Sequence, residues 1–145
     1  MSVPVTLTTP LPVMLSATTV VYEYLTANLG TVGFTGVKAY GRIPPQRPKR
    51  FVRVRTVGGG VDTVSTTNPT VTIESYAGTE SEAEMLAEAC HYLMRRADER
   101  GWLGAVPCRS VEAFSRPGVL PDPLTPDQGR FTATYSLRLR VPFTN

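Results

Sequence analysis

From Thr79 to Arg100 the sequence reads TESEAEMLAEACHYLMRRADER, a pattern that dictates a long amphipathic helix. Apolar or small residues recur at Ala83, Leu86, Ala87, Cys90, Leu93, Met94 and Ala97, the i, i+3, i+4, i+7 spacing that gathers them on one stripe. Glu84, Glu88, Arg95, Asp98 and Glu99 occupy the opposite face. Two capping boxes compete for the start, Thr79 with Glu82 and Ser81 with Glu84, each able to satisfy backbone N–H groups that the first turn leaves unpaired. Acidic side chains crowd the first turns and arginines the last, opposing the helix macrodipole at both ends. Gly101 supplies the left-handed residue that ends helices, and Trp102 beyond it can fold its ring back onto the last turn. At 1.5 Å per residue such a helix is about 33 Å long, and its stripe needs an apolar partner surface of that length.

A chain of 145 residues with 41% hydrophobic and 19% charged residues suits one globular domain spanning 1–145. The net charge of +3 falls far short of the dense Lys/Arg footprint of a dedicated nucleic-acid binder. The opening MSVPVTLTTP has neither a basic region nor an apolar region of the kind found in secretory leaders, and no apolar run approaches the ~18 residues of a membrane span. The expectation is a protein made and kept in a cytosol, with no membrane partner. In that compartment Cys90 and Cys108 are expected as buried, reduced thiols.

Elsewhere the chain alternates between helix and strand signals. Met14 to Leu29 places Ala17, Val20, Val21, Tyr24 and Leu25 at helical spacing, with Gly30 as a stop; β-branched residues at 18–21 weaken its propensity, so packing must hold it, and a strand is the competing reading. A short strand is expected over Val37 to Tyr40, and the prolines of Ile43 to Pro48 require a loop or a sheet rim. Phe51 to Val57 alternates Val52 and Val54 with Arg53 and Arg55; Val71 to Glu74 alternates too, and Gly58, Gly59 and Gly60 with Asp62 form the tip between them. Val106 to Phe114 reads as a strand, and Ser115 to Gly129, with prolines at 117, 121, 123 and 126, as a long loop of the kind that is functional or mobile. Arg130 to Val141 is the clearest strand, with Phe131, Ala133, Tyr135, Leu137, Leu139 and Val141 on one side and Arg130, Arg138, Arg140 and hydroxyl residues on the other. The fold class that follows is α+β: an antiparallel or mixed sheet with two helices packed on its apolar face, leaving a polar, arginine-rich second face.

Few residues offer chemistry. His91 is the sole histidine and no Cys/His cluster has zinc-ligand spacing, so it reads as a border residue of the apolar stripe. There is no Gly-x-Ser-x-Gly elbow and no second histidine to act as a base, and the glycine triplet lacks the Lys-Ser/Thr of a phosphate loop. No catalytic residue, metal site or cofactor is therefore expected. Arg53, Arg55, Arg138 and Arg140 form the most informative group. If their strands are neighbours, like charges meet on one face and need a compensating partner subunit, Glu74 and Glu112, or a polyanion; a solvated face is the plainer alternative.

In its order of elements the chain resembles the tail terminator, or tail-completion, proteins of long non-contractile-tailed bacteriophages. The resemblance covers most of the chain. It runs through an N-terminal helix, Pro44-Pro45-Gln46-Arg47-Pro48 before Phe51-Val52-Arg53-Val54, the glycine tip, the strand Val71 to Glu74, the Glu- and Ala-rich helix from Thr79, the loop Gly118 to Asp122, and a closing strand opening Arg130-Phe131. It implies a structural virion protein, not an enzyme: identical copies, typically six, close into a ring that caps the tail tube at the head-tail junction, halts its polymerisation and meets the head's connector, or stopper, protein. Assembly in the host cytoplasm and genomic DNA passing through the lumen are implied with it. Its interface would draw on Arg53, Arg55, Arg138 and Arg140, the tip Gly58 to Gly60, and Pro117, Pro121, Asp122 and Pro123. The alternatives are another small head-to-tail connector protein and a nucleic-acid-binding accessory protein that uses the arginine face.

Overall fold

A computed structural model describes residues 11–12, 15–141 and 143–144; the expectations for residues 1–10 and for Met14 lie outside them. In chain order the elements are β1 (Leu11–Pro12), α1 (Ala17–Asn28), β2 (Ala39–Tyr40), β3 (Phe51–Gly59), β4 (Thr66–Thr67), β5 (Pro69–Ala77), α2 (Glu80–Arg100), β6 (Trp102–Leu103), β7 (Val106–Ala113), β8 (Gly118–Val119), β9 (Gly129–Arg140) and β10 (Phe143–Thr144). A 3₁₀ turn over Leu29–Val32 continues α1. The fold is α+β, with a mixed eight-stranded sheet ordered β2-β3-β5-β9-β7-β6, in which β4 and β8 also pair with β9. The β2–β3 pair is parallel and the others are antiparallel. β1 and β10 pair separately.

The long helix forms where its pattern places it. Of the two capping boxes the first is used: Thr79 Oγ1 accepts the Glu82 N–H at 3.1 Å. At the other end Gly101, at φ 75°, donates its N–H to the Ala97 carbonyl, a conformation that a side chain would strain. The chain then enters the β6–β7 hairpin, and Leu103, not Trp102, is the residue this reversal buries. All seven residues of the α2 stripe are buried. Leu86, Cys90, Leu93, Met94 and Ala97 pack with Ala17, Val21 and Leu25 of α1 and with the apolar parity of the strands, Val52 and Val54 of β3, Val71 and Ile73 of β5, and Ala133, Tyr135, Leu137 and Leu139 of β9, while Ala83 and Ala87 pack with Ala77 of β5 and Phe131 of β9. Both helices thus cover one sheet face. Cys90 and Cys108 are free and buried, and burial pushes their thiols up to about 12 and about 11.

Two features differ from the alternation rule. β9 follows it along its length, but β5 is buried on both faces from Ile73 to Ala77, and Phe51, on the arginine parity of β3, is fully buried. The reason is a second, smaller core on the far face. Phe51 stacks on Tyr76 with ring centroids 4.5 Å apart, and Tyr40 meets Phe51 edge-on. Loops 43–50 and 115–128 close over this cluster: β8 pairs with β9, the Leu120 N–H donates to the Arg130 carbonyl, and Gln128 Nε2 reaches the Pro48 carbonyl.

Adjacent positions on α2 test the packing. Leu86 is fully buried while Met85 is 62% exposed, so Leu86→Ala is expected to cost ~2–5 kcal/mol through lost transfer energy and a cavity. Met85→Ala should stay within ~0.5 kcal/mol of the parent. Urea denaturation of the two variants measures both; equal midpoints would mean that the helix is turned about its axis.

Candidate functional site

The far face of the sheet carries the arginines that the sequence singles out, but not as one cluster. β5 lies between β3 and β9, so Arg53 and Arg55 are not on a strand next to Arg138 and Arg140 as the sequence reading supposed. Register puts Arg53 opposite Glu74, and Glu74 opposite Thr132. An acidic residue therefore stands between the basic rows.

Glu74 is only 2% exposed. Its Oε1 lies 3.1 Å from Arg55 Nε, and its Oε2 lies 3.9 Å from Arg53 Nη1 and 3.8 Å from Arg130 Nη1. Tyr76 donates its hydroxyl to Oε2 at 3.0 Å and accepts from Arg130 Nη1 at 3.4 Å; burial holds this phenol's pKa above the ordinary value. One carboxylate thus serves three guanidiniums and a phenol, which is what an anion removed from water requires if its desolvation is to be offset. Arg130 is itself oriented by backbone, Nε donating to the Leu120 carbonyl at 2.6 Å and Nη2 to that of Pro121 at 3.4 Å.

The loop residues join the same arrangement. Asp122 is buried, accepts the Leu124 N–H at 3.0 Å and meets Arg47 at 3.6 Å. The Leu124 N–H, and then Arg130 and Arg47, hold its carboxyl below the usual range against the opposing effect of burial. Arg47 also lies over the Tyr76 ring at 5.5 Å. Pro121 contributes a carbonyl to Arg130, while Pro123 is exposed and Pro117 half-buried. Sequence reasoning missed Arg47, Tyr76 and Arg130 as members of this network. The available signal was an aromatic residue, Phe51, on the parity assigned to arginines.

Arg138 and Arg140 sit at the other end of β9. Arg138 Nε donates to Asn68 Oδ1 at 3.2 Å, and Arg140 is exposed and opposite Thr66 of β4. Among the described residues neither has a carboxylate within ion-pair distance, and Glu112, another expected compensator, makes no ion pair. The glycine triplet lies beside them. A Cβ on Gly59 would collide with the Asn68 carbonyl oxygen, so the register shift between Thr56 and Gly59 is possible only with glycine there. Gly60 donates its N–H to that same carbonyl at 2.8 Å, and Gly58 is exposed within the shift.

On the helix side, a cleft between α2 and β7 is lined by His91, Arg95, Asp98 and Tyr135. His91 Nδ1 lies 2.8 Å from the Tyr135 hydroxyl, and burial lowers the imidazole pKa while raising that of the phenol. Asp98 Oδ1 accepts the Val111 N–H at 2.8 Å, tying the cleft's wall to the helix. Among the described residues no group of three His, Cys, Asp or Glu could hold a metal ion, and no helix is long and apolar enough to cross a membrane. No known protein-family model matches this sequence, and no curated protein matches it significantly.

Two predictions follow from these charges. Glu74→Gln leaves three guanidiniums around a neutral amide and should cost ~3 kcal/mol, the low end for breaking a buried pair because Arg55 stays partly in water; Arg138→Ala should change stability by no more than ~0.5 kcal/mol. Equal effects in chemical denaturation would contradict the division of the arginines. The second concerns His91, whose burial holds its folded pKa below the ordinary imidazole value of about 6.5. The unfolded chain then binds the proton more tightly, so stability is fully present above about pH 6.5 and is lost as pH falls through the folded value. As the chain has 1 histidine, His91→Gln should flatten the dependence of the thermal midpoint between about pH 7 and 5. An unchanged slope would assign it to other groups.

Proposed function

We propose that the protein is a structural component of a phage tail, a tail terminator whose copies close into a ring at the head-proximal end of the tail tube. The order of elements supports the reading. The observation that carries it is the distribution of exposed apolar side chains: Val57, Val61 and Val64 on the β3–β4 tip, Met85 and Tyr92 on α2, and Val119, Leu120 and Leu124 in the loop before β9. Three such patches on a chain of this size suit a subunit that meets several neighbours, in this reading two ring neighbours and a tube or connector surface.

The arginine face takes a narrower part than the sequence suggested. Arg53 and Arg55 are engaged by Glu74 within the chain, leaving Arg138 and Arg140 for an acidic surface of another subunit. The same division weakens the nucleic-acid reading, because fewer unneutralised cations remain to release counterions from a duplex.

Negative-stain microscopy and light scattering of the purified protein test the proposal, alone and with tail-tube protein. Closed rings, and tubes capped at a fixed length, are the expected result. A monomer under both conditions that instead shifts duplex DNA at physiological salt would replace this reading with the nucleic-acid one.

A further inference from the structure

Two of the three apolar patches, the β3–β4 tip and the one on α2, have opposite electrostatic surroundings. The first is the tip of the β3–β4 connection, where Val61 is 88% and Val64 76% exposed. Arg138 and Arg140 stand at its base, since Arg138 bonds Asn68 and Arg140 is paired with Thr66. The tip is built internally. Asp62 Oδ1 accepts from the Thr67 hydroxyl and the Asn68 N–H, Thr63 Oγ1 accepts the Thr66 N–H, and the Ser65 carbonyl accepts the Val141 N–H. Its single carboxylate is thus committed to the turn, and its valines are presented with little further entropy to lose on contact.

The second patch is a groove beside α2. Met85, Ala89 and Tyr92 follow one another at i, i+4, i+7, a second stripe separate from the one facing the core. Val32 and Phe34, from the turn after α1, form its other wall. Its rim is acidic. Glu84 is exposed and without an ion-pair partner among the described residues, and Glu88 is held by Arg116 at 2.7 Å; Glu80 and Glu82 lie one turn earlier. Against them stands Arg50, whose guanidinium lies 5.9 Å from the Phe34 ring centroid.

We infer that the valine tip of one copy seats in the α2 groove of the next, with Arg138 and Arg140 against Glu84 and its acidic neighbours. This rests on the reading as a ring-forming protein and specifies the joint between its subunits. Placement supports a head-to-tail contact. β5 begins at Pro69 beside the tip and ends at Ala77, three residues before α2 starts, so the tip and the N-terminal half of α2 lie at opposite ends of the strand direction. Because the two surfaces lie at opposite ends, one tip-to-groove contact leaves a free groove on one copy and a free tip on the other, so contacts continue around a ring, each pairing unlike charges around an apolar centre.

Complementation of variants tests the joint. A tip variant, Val61→Asp with Val64→Asp, and a groove variant, Met85→Asp with Tyr92→Asp, change exposed positions only, and unchanged thermal midpoints check their folding. Each alone should sediment as a single chain where the wild type forms rings. Mixed in equal amounts they retain one intact tip and one intact groove, so they should form a two-chain complex and nothing larger. As a second route, Arg140→Glu and Glu84→Arg should each weaken ring formation at least tenfold, and the double exchange should restore it. Rings formed by both paired variants, a mixture that stays monomeric, or a double exchange no better than its parents would overturn this joint while leaving the ring reading in place. A wild type that stays monomeric, with and without tail-tube protein, would overturn both.

Discussion

The apolar stripe of α2 against the sheet is the constraint on which the rest depends. Once Leu86, Leu93 and Met94 are committed to the interior, the facing strands must turn Val52, Val54, Ile73, Leu137 and Leu139 towards the helix. Period two then sends Arg53, Arg55, Glu74, Arg130, Arg138 and Arg140 to the other face together. The far face is therefore charged as a by-product of how the near face packs. What the chain does with that charge is where its particular character lies.

At one end of the far face the loops 43–50 and 115–128 add a small aromatic core, and Glu74 lies inside it. A lone carboxylate there would be costly, and so would three guanidiniums without it; together their charges offset one another, although Arg53 Nε is left without a hydrogen-bond partner among the described residues. Asp122 and Arg47 repeat the device on the loop side. The other end has no such cover. Arg138 and Arg140 stay at the surface beside the glycine-bearing tip, next to exposed valines that contribute nothing to the interior. A buried, self-neutralised half and an open, basic half are what would be expected of a subunit whose own stability and whose contacts are assigned to separate residues.

Periodicity made much of this legible and left the rest out for a definite reason. The stripe of α2, its stop at Gly101 and the parity of β9 are local patterns and are found as read, while the cap, left open between Thr79 and Ser81, falls to Thr79. Strand order is not a local pattern. Nothing in FVRVRTV or in the segment after Arg130 says that β5 comes between them, so the arginines read as one cluster when Glu74 in fact divides them. The burial of Phe51 and Tyr76 was hidden likewise, because alternation assumes one wet face, and the loops that dry this one act across the chain through Arg47, Asp122 and Arg130. The 115–129 segment read as one long loop for the same cause: its strand pairing with β9 spans only Gly118 and Val119, and its other ties to β9 run through Leu120, Pro121 and the Arg130 side chain.

The arginines of one face part into internal counter-ions near Glu74 and the exposed pair at the tip, which we propose are contact residues. Arginine-selective chemical labelling read by mass spectrometry, on dissociated and on assembled protein, tests this division most directly. Arg53 and Arg130 should react slowly in both states, and Arg138 and Arg140 should react readily when dissociated and become protected on assembly. Protection that instead appears at Arg53 and Arg130, with Arg140 unchanged, would contradict the account.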